Sequence, residues 1–454
     1  MSDPITYTTS PDAPNIAVDV QATGVLGEFS VDVDEVGGPA LLGWGDTGWV
    51  NIVCDVTRLG LRRGATRRQG VLARAEAASL TLEILDVDRR FDPLLNADAV
   101  HAGTPLRVRA WGFDELGAPW DEVLLTGEVD DVPVTYAREG GAPRVTLQAT
   151  DIIGAELVPW ATTGYLEPGI GAGDTLLGRV TRVLDEVGVV DGLDPDPAAH
   201  STSYTATHPP TTLARAWQAI VDAADAELGR VWANRHGRLI VRGRTLEPRG
   251  TIRGTLSDWH GEAPVEPHAC YDDLGATLGT ELLTNRAIGQ RRIPEGVEAT
   301  PAVVQRDDPF SQALYRMRAT ENRSLELETD AQVTAWAEQL LAVSSVPELR
   351  VESVSVAPWG AGVEAWRAVC ATDIGDRWLL RHHPEIGPTI EVAVGILGVE
   401  LEVTPEGWSI VWATESALAP GDNPSSSFAV DISELSGADE LATFGGPVPA
   451  VEPA

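Results

Sequence analysis

The chain has 454 residues, 43% of them hydrophobic, and sets 33 basic side chains against 68 acidic ones, a formal charge of −35. Every basic residue is Arg, and so large an acidic excess argues against a protein that grips nucleic acid by neutralising phosphates. No run of about 18 apolar residues exists, so no membrane span is expected, and the length leaves room for roughly two to four domains.

Residues 1–15 are rich in Thr, Ser and Pro and read as an extended arm, without the basic and apolar regions of a secretory signal. From 16 to about 155 the chain reads as strands: IAVDV, GEFSVDV, WVNIVCDV, ASLTLEIL, TPLRVRAW, EVLLTGEVD and APRVTLQATD, separated by Gly, Pro and Asp. In the fourth, Leu80, Leu82 and Ile84 alternate with Ser79, Thr81 and Glu83, which places three apolar side chains on one face of a half-buried strand. Short strands at this spacing predict a first β-barrel or sandwich domain.

The period then changes to that of a helix. Leu176, Leu177, Val180, Val183, Leu184 and Val187 predict a helix over 174–187, capped by Asp174 and stopped by Gly188. A second helix is expected over 211–228, with Leu213, Trp217, Ile220, Val221, Ala224 and Leu228 as its stripe and Gly229 as its stop. A hairpin turning near Asn234–Gly237 follows. Together these predict a small α+β insert over 156–260. A second β domain is expected over 261–418, with one helix at 329–343 that opens on a Thr329-x-x-Gln332 capping box and buries Val333, Trp336, Ala337, Leu340 and Leu341. It closes with a hairpin in which Val399, Leu401 and Val403 lead into Thr404–Gly407 and Trp408, Ile410 and Trp412 lead out. Residues 419–454, rich in Pro, Ser, Gly and acid, read as a flexible tail. The fold class is thus mainly β with an α+β insert.

Motifs for chemistry are missing: no H-E-x-x-H, no G-x-S-x-G, no phosphate-binding loop. Cys54, Cys270 and Cys370 form no C-x-x-C pair; Cys54 and Cys370 read as strand residues, poor candidates for a nucleophile. His260, His268 and Cys270 lie close together but match no zinc spacing, and loop residues of no special role are the better reading. His382 and His383 are neighbours, which in a strand would face opposite sides. The acids Asp86, Asp88 and Asp92, and Asp191, Asp194 and Asp196, lack the EF-hand pattern and read as solvated turn residues. No catalytic residue, metal or cofactor is expected.

Two stretches carry a resemblance. Trp49, Val50, Asp55, Val56 and Thr57 precede a basic turn, Arg62-Arg63-Gly64, and Asp86 through Pro93 spell D-x-D-R-R-F-D-P after the following strand. The C-terminal hairpin has the form [apolar]-x-V-T-P-x-G-W. In both features, and in its order of elements, the chain resembles the tail hub ("minor tail") proteins of long-tailed phages infecting actinobacteria. That resemblance implies two tail-tube-like β-barrel domains flanking the insert, and a homotrimer whose six barrels join a sixfold tail tube to a threefold tip in the virion. Expected partners are the distal tail protein ring, the tape measure protein C-terminus, receptor-binding or other tail-tip proteins, and genomic DNA passing without specific binding. The protein would be made in the host cytoplasm. Arg62, Arg63, Arg67, Arg68, Arg89 and Arg90, the strongest basic groups on an acidic chain, are expected at subunit contacts. The alternatives are the distal tail protein, a hexameric ring, and a hub-associated peptidoglycan hydrolase or endopeptidase; the few residues after the last hairpin are too short for a catalytic domain.

Overall fold

Alternating burial organises the chain. The computed structural model describes residues 13–21, 49–52, 56–65, 74–87, 89, 91–92, 95, 100–136, 141–159, 175–189, 191–194, 215–243, 252–258, 266–292, 300–357, 362–387, 389–405 and 407–416. Residues 1–12 of the expected arm, the GEFSVDV strand, the tail, and Cys54, Asp88, Asp196 and His260 lie outside them, whereas the arm's last residues are packed, Ala13 in the core and Asn15 opening the first strand.

The first part is β1 (Asn15–Gln21), β2 (Trp49–Asn51), β3 (Val56–Gly64), β4 (Glu76–Leu85), β5 (Pro105–Phe113), β6 (Pro119–Asp131), β7 (Val134–Thr135) and β8 (Arg144–Thr150). They pair in the order β3-β4-β8-β6-β5-β1-β2, with β7 beside β8. In β4 the expected alternation holds: Leu80, Leu82 and Ile84 are fully buried. Asp19 of β1, also buried, accepts from Arg107 Nε (2.8 Å) and Arg109 Nε (2.7 Å) of β5.

A single π-helical turn, Ile153–Leu157, leads to α1 (Leu176–Val187) and α2 (Ala216–Glu227), then to the hairpin β9 (Arg230–Ala233) and β10 (Leu239–Arg242). The N-cap of α1 is Thr175, not Asp174; its hydroxyl accepts from Gly178 N. On α2 Ile220, Ala224 and Leu228 are buried as expected, with Ala216, Ala219 and Ala223 beside them, while Trp217 and Val221 are only half-buried and Leu213 lies outside the described residues. Leu228, at φ 49°, ends α2 in place of Gly229. The hairpin turns where expected: Asn234 Oδ1 accepts from the amides of His236 and Arg238, each at 3.0 Å.

The last part holds β11 (Ile252–Ser257), β12 (His268–Gly279), β13 (Arg286–Arg291), β14 (Val304–Asp307), α3 (Pro309–Tyr315), β15 (Ala319–Leu325), α4 (Asp330–Ser344), β16 (Glu348–Ala357), α5 (Gly362–Ala371), β17 (Arg377–His382), β18 (Ile390–Thr404) and β19 (Gly407–Ser416). Strands β17, β11, β12, β16, β19 and β18 pair in turn, and β17–β18 pairing closes them into a barrel. Where one helix was expected, the described residues hold three. The helix α4 has the expected capping box, with Thr329 and Gln332 each bonding the other's backbone. It covers a separate sheet, β14-β13-β15, where Gly289 leaves room for Val333 and Trp336. Cys370 lies in α5, not in a strand. The tryptophans Trp366 and Trp408 stack edge to face at 5.4 Å, and Trp378 and Trp412 meet at 5.2 Å, within a hydrophobic core that runs unbroken from β1 to β19.

The β3–β18 seam as candidate assembly site

The two stretches that carry the family resemblance are spatial neighbours. Strand β3 pairs antiparallel with β18, so Leu61 faces Leu401 and Leu59 faces Val403 on the inner side. One long sheet therefore runs from the strands of the first part into the barrel of the last. The sequence reads Arg62-Arg63-Gly64 as a turn; it is the end of β3, because a partner strand waits there. At that end Gly64 pairs with Gly398. A Cβ on Gly64 would strike the Leu397 carbonyl, one on Gly398 the Ala65 carbonyl, and Gly64 holds φ +77° besides. Only glycine fits so close an approach.

The pleat sends the two arginines opposite ways. Arg62 lies on the outer face, paired with Glu76 at 2.5 Å. Beside it Arg58 reaches Glu402 (2.8 Å) across the seam and Glu83 (3.5 Å) on β4. Gly60, Ser79 and Thr81 complete a shallow groove here, with Glu400. These exposed pairs contribute about 0–1 kcal/mol each; the leucines beneath hold the seam.

Arg63 points inward and is 4% exposed. Its Nη1 lies 2.8 Å from Asp373 Oδ1, just past α5. The other oxygen, Oδ2, accepts from the Arg235 amide (2.9 Å) at the β9–β10 turn. Arg235 in turn pairs with Glu122 of β6 at 2.9 Å. Asp373 thus ties the first sheet and the last barrel to the insert. A second tie joins Arg230 to Glu415, with Nη2 2.7 Å from Oε2.

Arg63 is therefore buried within its own chain, a correction to its expected place at a subunit contact. Arg62 and Arg89 are surface residues; Arg67, Arg68 and Arg90 lie outside the described residues. Arg89, at φ 56°, sits over the Tyr136 ring and pairs with Asp92 at 2.5 Å. Asp86 and Asp92 of this turn are not solvated; both are 0% exposed. Asp86 accepts from the Phe91 amide at 2.9 Å, and Asp92 from the Tyr136 hydroxyl at 2.6 Å. Asp86 is thus satisfied from within its own turn and Asp92 from Tyr136 across the fold, which replaces the hydrogen bonds that burial takes away.

His382 and His383 also depart from expectation, since both reach one carboxylate: Asp258, at 2.8 and 2.7 Å. His383 lies one residue past β17, where strand alternation no longer applies. Burial raises the Asp258 carboxyl, but hydrogen bonds from His383 hold it below its ordinary value. Among the described residues no group of three or more His, Cys, Asp or Glu could hold a metal ion. Cys370, fully buried, has its thiol pushed up by burial, which disfavours the thiolate a nucleophile needs. No helix among the described residues is long and apolar enough to cross a membrane.

No family model and no curated protein matches the chain. Solved structures do. A tail protein from Neisseria meningitidis superposes with TM-score 0.52 at 12% identity, over 89% of this chain and 96% of its own. The 43 kDa tail protein of prophage MuSo2 from Shewanella oneidensis gives 0.51 at 12% identity, over 89% and 99%. The chain has the mainly β fold of these tail proteins, along nearly its whole length.

Proposed function

We propose that the chain is a structural protein of a phage tail, the hub at the tail tip. The observation that carries this reading is the β3–β18 seam, which fuses two barrel-like sheets into one surface with a common outer face. Three such chains supply six similar units around an axis, and so match a sixfold tube on one side and a threefold tip on the other. The distal tail ring, the tape measure C-terminus and receptor-binding or other tip proteins are its neighbours in this reading. Arg62 and Arg89, with Arg67, Arg68 and Arg90, are assigned to subunit contacts.

The charge suits a conduit. Over the whole chain 68 acidic side chains stand against 33 arginines. An acidic wall repels a duplex only within about 8–10 Å, so it centres passing DNA, whereas a wall of free arginines would hold it. No catalytic role is assigned to any residue. Gold-labelled antibody against the chain should decorate the tail tip of intact phage particles; labelling of capsids or tail shafts instead would refute the reading.

A further inference from the structure

Helix α3 is inside out. A surface helix ordinarily buries its apolar stripe and shows its polar face, but the residue that α3 buries is Ser311. The Ser311 hydroxyl accepts from Asn285 Nδ2 (3.2 Å) and donates to the Ser345 carbonyl (2.5 Å). Fully buried Asn285 also donates to the Arg316 carbonyl and accepts from the Arg318 amide, both at 2.7 Å. Arg316 is held at φ +63°, a conformation rare for residues other than glycine. The apolar side chains look out instead. Phe310 and Leu314, one turn apart, are 77% and 58% exposed, and Met317 just beyond is 57% exposed.

A fixed apolar patch of this kind marks an interaction surface. Arg316 and Arg318 flank it on a chain of charge −35, so its complement is both apolar and acidic. The chain itself carries such a surface. The β5–β6 hairpin ends in Phe113-Asp114-Glu115-Leu116, with Leu116 94% and Phe113 57% exposed. Asp114 Oδ1 accepts from the amides of Leu116 (2.9 Å) and Ala118 (2.7 Å), which fixes the tip as a turn. Glu115 is exposed there.

We propose that the β5–β6 tip of one copy docks on α3 of the next, with Leu116 against Phe310 and Leu314 and Glu115 facing Arg316. Two different patches that fit each other make a head-to-tail contact, which closes into a ring where the rotation allows. The proposal rests on the reading of the chain as a ring-forming tail protein and names the surface that makes the ring.

Sedimentation velocity on the full chain tests it. Leu314→Glu and Leu116→Arg alter exposed side chains only, so both variants should keep the wild-type far-ultraviolet circular dichroism spectrum. The wild type should sediment as an oligomer and each variant alone as a monomer. Mixing the two variants should restore dimers, because the unaltered tip of the Leu314→Glu chain still fits the unaltered α3 patch of the Leu116→Arg chain. A wild type that stays monomeric at its highest soluble concentration, variants that assemble as the wild type does, or a mixture that stays monomeric would each overturn the proposal. Location in the phage particle is read separately, so failure here leaves the tail reading standing or falling by the antibody labelling.

Discussion

Arg63 Nη1 lies 2.8 Å from Asp373 Oδ1, joining the last residues of β3 to the segment after α5, and both side chains are largely withdrawn from water. Removing one partner of such a pair strands the other charge, which costs about 3–5 kcal/mol in a buried site. Asp373 keeps the Arg235 amide, so the lower end applies: Arg63→Ala should lose about 3 kcal/mol in denaturant melts. Arg63→Ala with Asp373→Ala should lose less than the two single variants summed, because they share one interaction. Strict additivity would show that the pair is not coupled.

Gly398→Ala should destabilise more than its single methyl implies. The added Cβ meets the Ala65 and Arg63 carbonyls, which are backbone and cannot turn aside. Overpacking costs typically about 1–3 kcal/mol, and here relief requires opening the β3–β18 ladder. Gly60→Ala, where a Cβ meets nothing within 4 Å, is the control; equal effects of the two substitutions on the melting temperature would contradict a tight seam.

Stability should fall as pH rises toward neutrality. Glu326 is 1% exposed, its Oε2 has no hydrogen-bond partner, and Arg292 lies 3.4 Å from the other oxygen. Burial is the largest influence and Asp222 of α2 adds to it, against Arg179 of α1 and Arg292; together they push the carboxyl from 4.5 up to about 7. The folded chain thus holds a proton that the unfolded chain has lost between those values. The contribution is complete below about pH 4.5 and is lost as pH passes about 7, on the order of 3 kcal/mol in all. Glu326→Gln should flatten this part of the pH profile and be the more stable chain above pH 7. An unchanged slope would contradict the assignment.

How far the sequence reveals this depends on where the information sits. Helices α1, α2 and α4 show in their periodic apolar residues, and the Thr329-x-x-Gln332 spacing alone marks the start of α4. The missed helix α5 carried a signal: Val363, Trp366, Val369 and Cys370 recur at helical spacing and are all buried. Nothing of the kind marks α3, whose pattern is inverted, or β14 and β15, whose side chains mostly face water. Among the acids and arginines, composition cannot separate a solvated turn from a buried tie. Asp86, Asp92 and Arg63 are withdrawn because the folded chain brings Phe91, Tyr136 and Asp373 to them. Tyr136 and Asp373 come from far along the chain, and no local rule names them.

The purified chain should not clear host cell walls in a zymogram. Cys370 is buried in α5 with its thiol pushed up, and Asp258 is taken up by two histidines. Clearing that is abolished by replacing a single Cys, His or Asp would replace the structural reading with an enzymatic one.

The most direct test of the hub assignment is a reconstruction of the assembled tail tip, with copies of this chain counted at its axis. Three copies are predicted, with their two barrels alternating as six units around the channel and the β3–β18 seam repeated at each subunit. Six copies would make the chain a distal tail ring, and its absence from the tip would contradict the account altogether.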